Sequence, residues 1–144
     1  MKNITIVFGS TTGNTETAAE MIQSTLSGKG ATVSLHNVSA APADALASAD
    51  LILLGSSTWG EGELQDDFID FYDGMNKDQF ADKEVAVFGC GDSAMFPHVF
   101  CEAVTMIEAK SNDCGAKVVV EGLKIDGDVS DNADQIEAWA AALV

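Results

Sequence analysis

Five short apolar runs set what this chain can fold into. They occupy Ile4–Phe8, Val33–His36, Leu51–Gly55, Val85–Gly89 and Val118–Leu123. They are continuous, not alternating, and rich in Val, Ile and Leu, which suits strands of a parallel sheet buried on both faces. Helical spacing fills the gaps between them. Ala18, Ile22 and Leu26 fall at i, i+4 and i+8, and Leu64, Phe68, Phe71 and Met75 at i, i+4, i+7 and i+11. Phe100, Ala103, Val104 and Ile107 share a helical face, as do Ile136, Ala140 and Leu143. A shorter Ala-rich helix is expected near Pro42–Ser48, and Trp139, beside the last stripe, reads as core. Strand and helix in alternation predict an α/β domain: a doubly wound, five-stranded parallel sheet with helices on both faces. At 144 residues the expectation is one domain spanning 1–144.

Ligands of such sheets bind beyond the carboxyl ends of the strands. Three segments there carry chemistry. The first, Gly9-Ser10-Thr11-Thr12-Gly13-Asn14-Thr15, joins the first strand to the first helix. A helix N-terminus offers unpaired N–H groups and about half a positive charge. The hydroxyls of Ser10, Thr11, Thr12 and Thr15 turn that end into a cage for a phosphate. An ordinary helix cap would need only one of them. No Lys or Arg stands in the cage, so it is not a nucleotide-hydrolysing P-loop, and the G-x-G-x-x-G spacing is absent. A phosphate held without a cation points to a retained cofactor.

The second segment, Ser56-Ser57-Thr58-Trp59-Gly60-Glu61-Gly62-Glu63, places Trp59 among glycines after a buried strand. That position suits a platform for a planar ring, with Ser57 and Thr58 adding hydroxyls to the cage. The third runs from Gly89 to Cys101. Its glycines let backbone donors and acceptors approach a ring edge, and Met95 and Phe96 are candidates for the second ring face.

Charge excludes other classes. The 23 acidic residues oppose seven lysines and no arginine, for a net charge of −16. Binding to nucleic acid or to an anionic membrane is disfavoured, whereas docking onto basic proteins is favoured. The three cysteines, Cys90, Cys101 and Cys114, form no disulfide framework or zinc spacing and suit free thiols in the cytoplasm. The first apolar run is too short for a signal peptide, and no stretch is long enough to span a membrane.

Together the segments resemble the flavodoxins. The matching stretches are Gly9–Thr15, Ser57-Thr58-Trp59-Gly60, Glu63-Leu64-Gln65-Asp66-Asp67-Phe68 and Gly89-Cys90-Gly91-Asp92-Ser93, with Gly122–Asp128 similar to the short-chain, sulfate-reducer type. The strand order 2-1-3-4-5, for which flavodoxin is itself a standard illustration, comes with the resemblance and not from the spacing. The resemblance implies FMN, with its phosphate on Ser10, Thr11, Thr12, Asn14, Thr15, Ser57 and Thr58 and with Gly13 among the residues that bind the cofactor. It implies Trp59 stacked on the isoalloxazine and the Gly60 carbonyl turned to flavin N5 in the one-electron-reduced state. It also implies backbone contacts from Cys90, Gly91, Asp92 and Cys101. The family's outer stacking tyrosine is missing: Met95 stands at the matching count and Phe96 is the nearest aromatic, so either is expected on that face.

The expected function is low-potential, one-electron transfer between redox proteins with basic docking surfaces, by a monomer without catalysis of its own. Glu61, Glu63, Asp66, Asp67, Asp70 and Asp73 crowd the segment after Trp59. At an effective dielectric of about 20, one carboxylate about 10 Å away costs an added electron about 1.7 kcal/mol. The alternative, an FMN-dependent NAD(P)H:quinone or flavin reductase, needs a nicotinamide site, which the absence of arginine disfavours. A phospho-acceptor domain of the same architecture needs an aspartate ending the third strand, where Gly55-Ser56-Ser57 stands.

Overall fold

The computed structural model describes residues 2–9, 13–40, 43–59, 63–91 and 101–144, with residues 40, 43–45, 59 and 63 described by their backbone alone. The elements in chain order are β1 (Asn3–Gly9), α1 (Asn14–Gly28), β2 (Thr32–Asn37), α2 (Ala43–Ser48), β3 (Leu51–Ser56), β4 (Thr58–Trp59), β5 (Glu63–Leu64), α3 (Asp66–Gly74), α4 (Lys77–Phe80), β6 (Glu84–Gly91), α5 (Glu102–Asp113), β7 (Lys117–Val118), β8 (Leu123–Asp126) and α6 (Ala133–Ala141). The main sheet runs β2-β1-β3-β6, and both β7 and β8 pair with β6. All of these pairings are parallel. This is the expected doubly wound sheet, with its fifth strand in two pieces.

Alternation along the strands sorts the core into two layers. Ile4, Ile6 and Phe8 of β1, Leu51 and Leu53 of β3, and Ala86 and Phe88 of β6 pack with Ala18, Ile22 and Leu26 of α1 and with Ile136 and Ala140 of α6. Val7, Ile52, Leu54, Val85 and Val87 face the other way, onto Phe68 of α3 and onto Ala103, Val104 and Ile107 of α5. Each fully buried Leu, Ile or Val contributes about 1.5–3 kcal/mol, so the three central strands hold the molecule together. The outer edge of the Phe88 ring lies against Gly55 of β3, where a Cβ would overlap it.

Four expectations need correcting. The run Val118–Leu123 is not one strand: β7 stops at Val118 and β8 starts at Leu123. Flanking side chains take the backbone groups at the break. The Trp139 indole donates to the Glu121 carbonyl at 2.9 Å, and the Glu108 carboxyl accepts from the Gly122 N–H. Second, β2 is a half-exposed edge strand, not one buried on both faces. Third, Trp139 packs against the core, its ring centroid 6.3 Å from that of Phe88, but is only half-buried, because its indole must reach Glu121. Fourth, the stripe from Leu64 to Met75 is not all helix. Leu64 lies in β5, α3 begins at Asp66, and Met75 is its C-cap. Phe100 lies outside the described residues.

The chain leaves β1 through α1 to β2 on one side, and β3 then pairs with the other side of β1. The connections after β1 and β3 therefore diverge, opening a crevice at their carboxyl ends.

Candidate functional site

The head of α1 forms one wall of that crevice. Gly13, its N-cap, has φ 93° and no side-chain cap. Neither Thr12 nor Asn14 is the cap, and the left-handed backbone favours glycine there. The Gly13 carbonyl accepts from the Thr17 N–H and hydroxyl, both at 2.9 Å. Thr15 in the first turn is fully buried, and its Oγ1 lies 2.7 Å from the Oγ of Ser57, just past β3. The structure thus joins two of the expected phosphate ligands, 42 residues apart, in one direct hydrogen bond. By helix geometry the N–H groups of the first turn have no intrahelical acceptor and face the crevice end of the helix. Ser10, Thr11 and Thr12 lie outside the described residues.

A second wall starts at Thr58. Thr58 and Trp59 are not loop: they form β4, paired antiparallel with β5 through Thr58↔Leu64 and Trp59↔Glu63. Gly60 lies outside the described residues. The Thr58 Oγ1 accepts the Ala103 N–H at 2.9 Å. Cys101, the N-cap of α5, offers no side-chain cap, so Thr58 supplies one from 45 residues away.

The third wall carries thiols. Cys90 lies near the end of β6 and Cys101 at the head of α5, the latter with φ 51°. Cys101 is fully buried, and its Sγ donates toward the carbonyls of Gly89 at 3.7 Å and Ile125 at 3.8 Å. Burial first, and neighbouring Cys90 second, push the Cys101 thiol up to about 12. Burial also pushes Cys90 up to about 11, against the pull of a hydrogen bond with Thr15. Both are therefore neutral at physiological pH. All three cysteines are free and buried. The Gly91 carbonyl accepts from Gly127 N–H at 2.9 Å, fixing the end of β6. Asp92, Met95 and Phe96 lie outside the described residues.

Two residues without an expected role also stand here. Ser56 is fully buried and Gln65 is 1% exposed. The Ser56 hydroxyl accepts from the Gln65 N–H at 3.1 Å, and the Gln65 Oε1 accepts from the Phe68 N–H at 3.2 Å, capping α3. The sequence signal was faint, because glutamine is not a favoured cap.

The walls suit an uncharged cradle for a phosphoryl group: an open helix head, buried hydroxyls beside it, and thiols held neutral. Among the described residues no group of His, Cys, Asp and Glu could hold a metal ion.

The family model described as Flavodoxin matches residues 6–139. A flavodoxin of Maridesulfovibrio salexigens is 46% identical, over 99% of this chain and 97% of its own. One from Nitratidesulfovibrio vulgaris is 41% identical, over 100% and 98%. Among solved structures, oxidised Flavodoxin 2 from Bacillus cereus superposes with a TM-score of 0.87 at 38% identity, covering 97% of this chain and 96% of that one. A Fusobacterium nucleatum flavodoxin bound to flavin mononucleotide shares the fold at a TM-score of 0.85 and 18% identity, covering 99% and 97%. With a matching family model over nearly its whole length and close relatives aligned end to end, this chain belongs to the flavodoxin family.

Proposed function

We propose that this chain binds FMN in the crevice at the ends of β1, β3 and β6 and carries electrons one at a time, at low potential, between redox proteins. The observation that carries the cofactor assignment is the Thr15–Ser57 hydroxyl pair, 2.7 Å apart and buried at the head of α1. Bound FMN supplies the one-electron chemistry of its isoalloxazine ring. The chain supplies the rest. The head of α1, with Ser10–Thr12, Gly13, Asn14, Thr15 and Ser57, holds the phosphate through hydroxyls and N–H groups. Trp59 covers one ring face, Gly60 offers its carbonyl, and Met95 or Phe96 covers the other face. Cys90, Gly91, Asp92 and Cys101 line the pyrimidine edge with backbone groups.

The potential is set by charge. Asp66, Asp67, Asp70 and Asp73 of α3 are exposed, so salt screens them, yet all bear the sign that opposes an added electron. The same face suits partners with basic docking surfaces. Among the described residues no helix is long and apolar enough to cross a membrane. A monomeric single domain working in the cytoplasm completes the proposal.

Titrating the apoprotein with FMN and with riboflavin tests the assignment. FMN should bind at one per chain and riboflavin far more weakly, because the phosphate carries much of the affinity. Equal binding of the two would remove the phosphate from the head of α1.

A further inference from the structure

We infer that Gln65 is a positioning residue for the flavin: it sets the spacing between the segment that grips the phosphate and the hairpin that carries Trp59. This rests on the FMN assignment above. A buried primary amide is costly unless its polar atoms are paired, and an apolar side chain would fill the same space without that cost. Capping α3 does not account for glutamine, since Asn, Asp or Ser caps with a shorter reach. The extra length is used elsewhere. The Gln65 amide lies against Gly9, the last residue of β1, so closely that a Cβ on Gly9 would overlap Oε1. Its backbone N–H goes to the Ser56 Oγ at the end of β3, at 3.1 Å. Its Oε1 holds the Phe68 N–H at 3.2 Å, and its Nε2 donates to the Asp67 carboxylate at 3.3 Å.

One residue thus joins the ends of two central strands to the start of α3. Gly9 is the last residue of β1 before residues 10–12 in the sequence, and Ser56 and Gln65 stand just before β4 and just after β5. Those segments are the ones assigned to phosphate and to ring, and Gln65 is buried between their anchors.

The test uses the whole protein, stripped of flavin and titrated with FMN, followed by measurement of its two one-electron reduction potentials. Gln65→Met keeps the volume and removes the polar contacts. Ser56→Ala loosens the same joint from the other side. Asn76→Ala is the control: it removes a side-chain cap from α4, whose Gln79 N–H it holds at 3.1 Å, near the opposite end of β6 from the site. Gln65→Met should weaken FMN binding about tenfold, the loss expected from one misplaced hydrogen-bonding contact, and change the gap between the potentials. Ser56→Ala should do the same to a smaller degree. Asn76→Ala should lower Tm and leave affinity and potentials alone. The inference is overturned if Gln65→Met binds FMN with wild-type affinity and potentials, or if the control weakens binding equally. Should Gln65→Met fail to fold, wild-type affinity and potentials in Ser56→Ala overturn it. A wild-type protein that takes up no FMN removes the functional assignment and this inference together, whereas tight wild-type binding with an indifferent Gln65→Met removes the inference alone.

Discussion

Two walls of the crevice reach electrical neutrality by different routes. At the head of α1 the groups are hydroxyls, Thr15 and Ser57, which never ionise and satisfy one another at 2.7 Å. At the ends of β6 and α5 the groups are thiols, Cys90 and Cys101, which can ionise but are buried until they do so only near 11 and 12. The first wall is neutral by chemical type and the second by environment. The hydroxyl wall should therefore hold its character at any pH, whereas the thiol wall keeps it only as long as the fold excludes water. An anionic ligand in the crevice then contributes the dominant charge, and the hydroxyl wall can solvate it without a counter-ion.

The largest expected effect comes from breaking the hydroxyl wall. Thr15→Val keeps the shape, removes the hydroxyl and leaves Ser57 without its buried partner. FMN affinity should fall by about tenfold to a hundredfold, as for a lost hydrogen bond to a charged group, with little change for riboflavin. An equal loss for both ligands, measured by fluorescence titration, would detach this wall from the phosphate.

Next in size is the pH response of the thiol wall. In the unfolded chain the two thiols ionise near their ordinary value of 9.0. Between that value and about 11 or 12 the folded state keeps protons that the unfolded state has lost, so rising pH favours unfolding. The stability tied to these thiols is whole below about pH 9 and is lost as pH climbs through the folded values. Urea midpoints at pH 8, 9.5 and 11 should decline more steeply in the wild type than in Cys90→Ala/Cys101→Ala. Parallel declines would mean that the thiols are not the groups responsible.

The smallest effect sharpens the contrast from the side of Thr58. Its hydroxyl belongs by position to the phosphate cage, but it accepts the Ala103 N–H. Thr58→Val should therefore cost about 1 kcal/mol of stability through the lost cap, with a smaller change in FMN affinity than Thr15→Val. A larger affinity loss in Thr58→Val would place the phosphate nearer β4 than α1.

The fold was legible where burial is complete. Ile4–Phe8, Leu51–Gly55 and Val85–Gly89 sit at the centre of the sheet, where both faces demand apolar residues and the run itself marks the strand. At the edges that rule fails. Val118–Leu123 reads as one run, yet Trp139 and Glu108 take the backbone groups of Glu121 and Gly122 and divide it. Nothing local announces that competition. The site divides similarly. The start of α1 just past β1 was legible because hydroxyls and glycines follow that strand directly. The hairpin of Thr58–Leu64, the cap from Thr58 to Ala103 and the burial of Gln65 all depend on residues brought together from far apart, so they become visible only in three dimensions.

The contact of Phe88 with Gly55 bears on how this chain can diverge. A side chain added at Gly55 has no room until the ring shrinks, and a smaller residue at Phe88 alone leaves a cavity, costing about 3–5 kcal/mol for Phe→Ala. Either single step crosses a deep valley in fitness, while the two taken together exchange one filled volume for another. Descendants of this sequence should therefore change at positions 55 and 88 in pairs or not at all. A library randomised at both positions and selected for folding should return large–small combinations in either order, with few that are large at both or small at both.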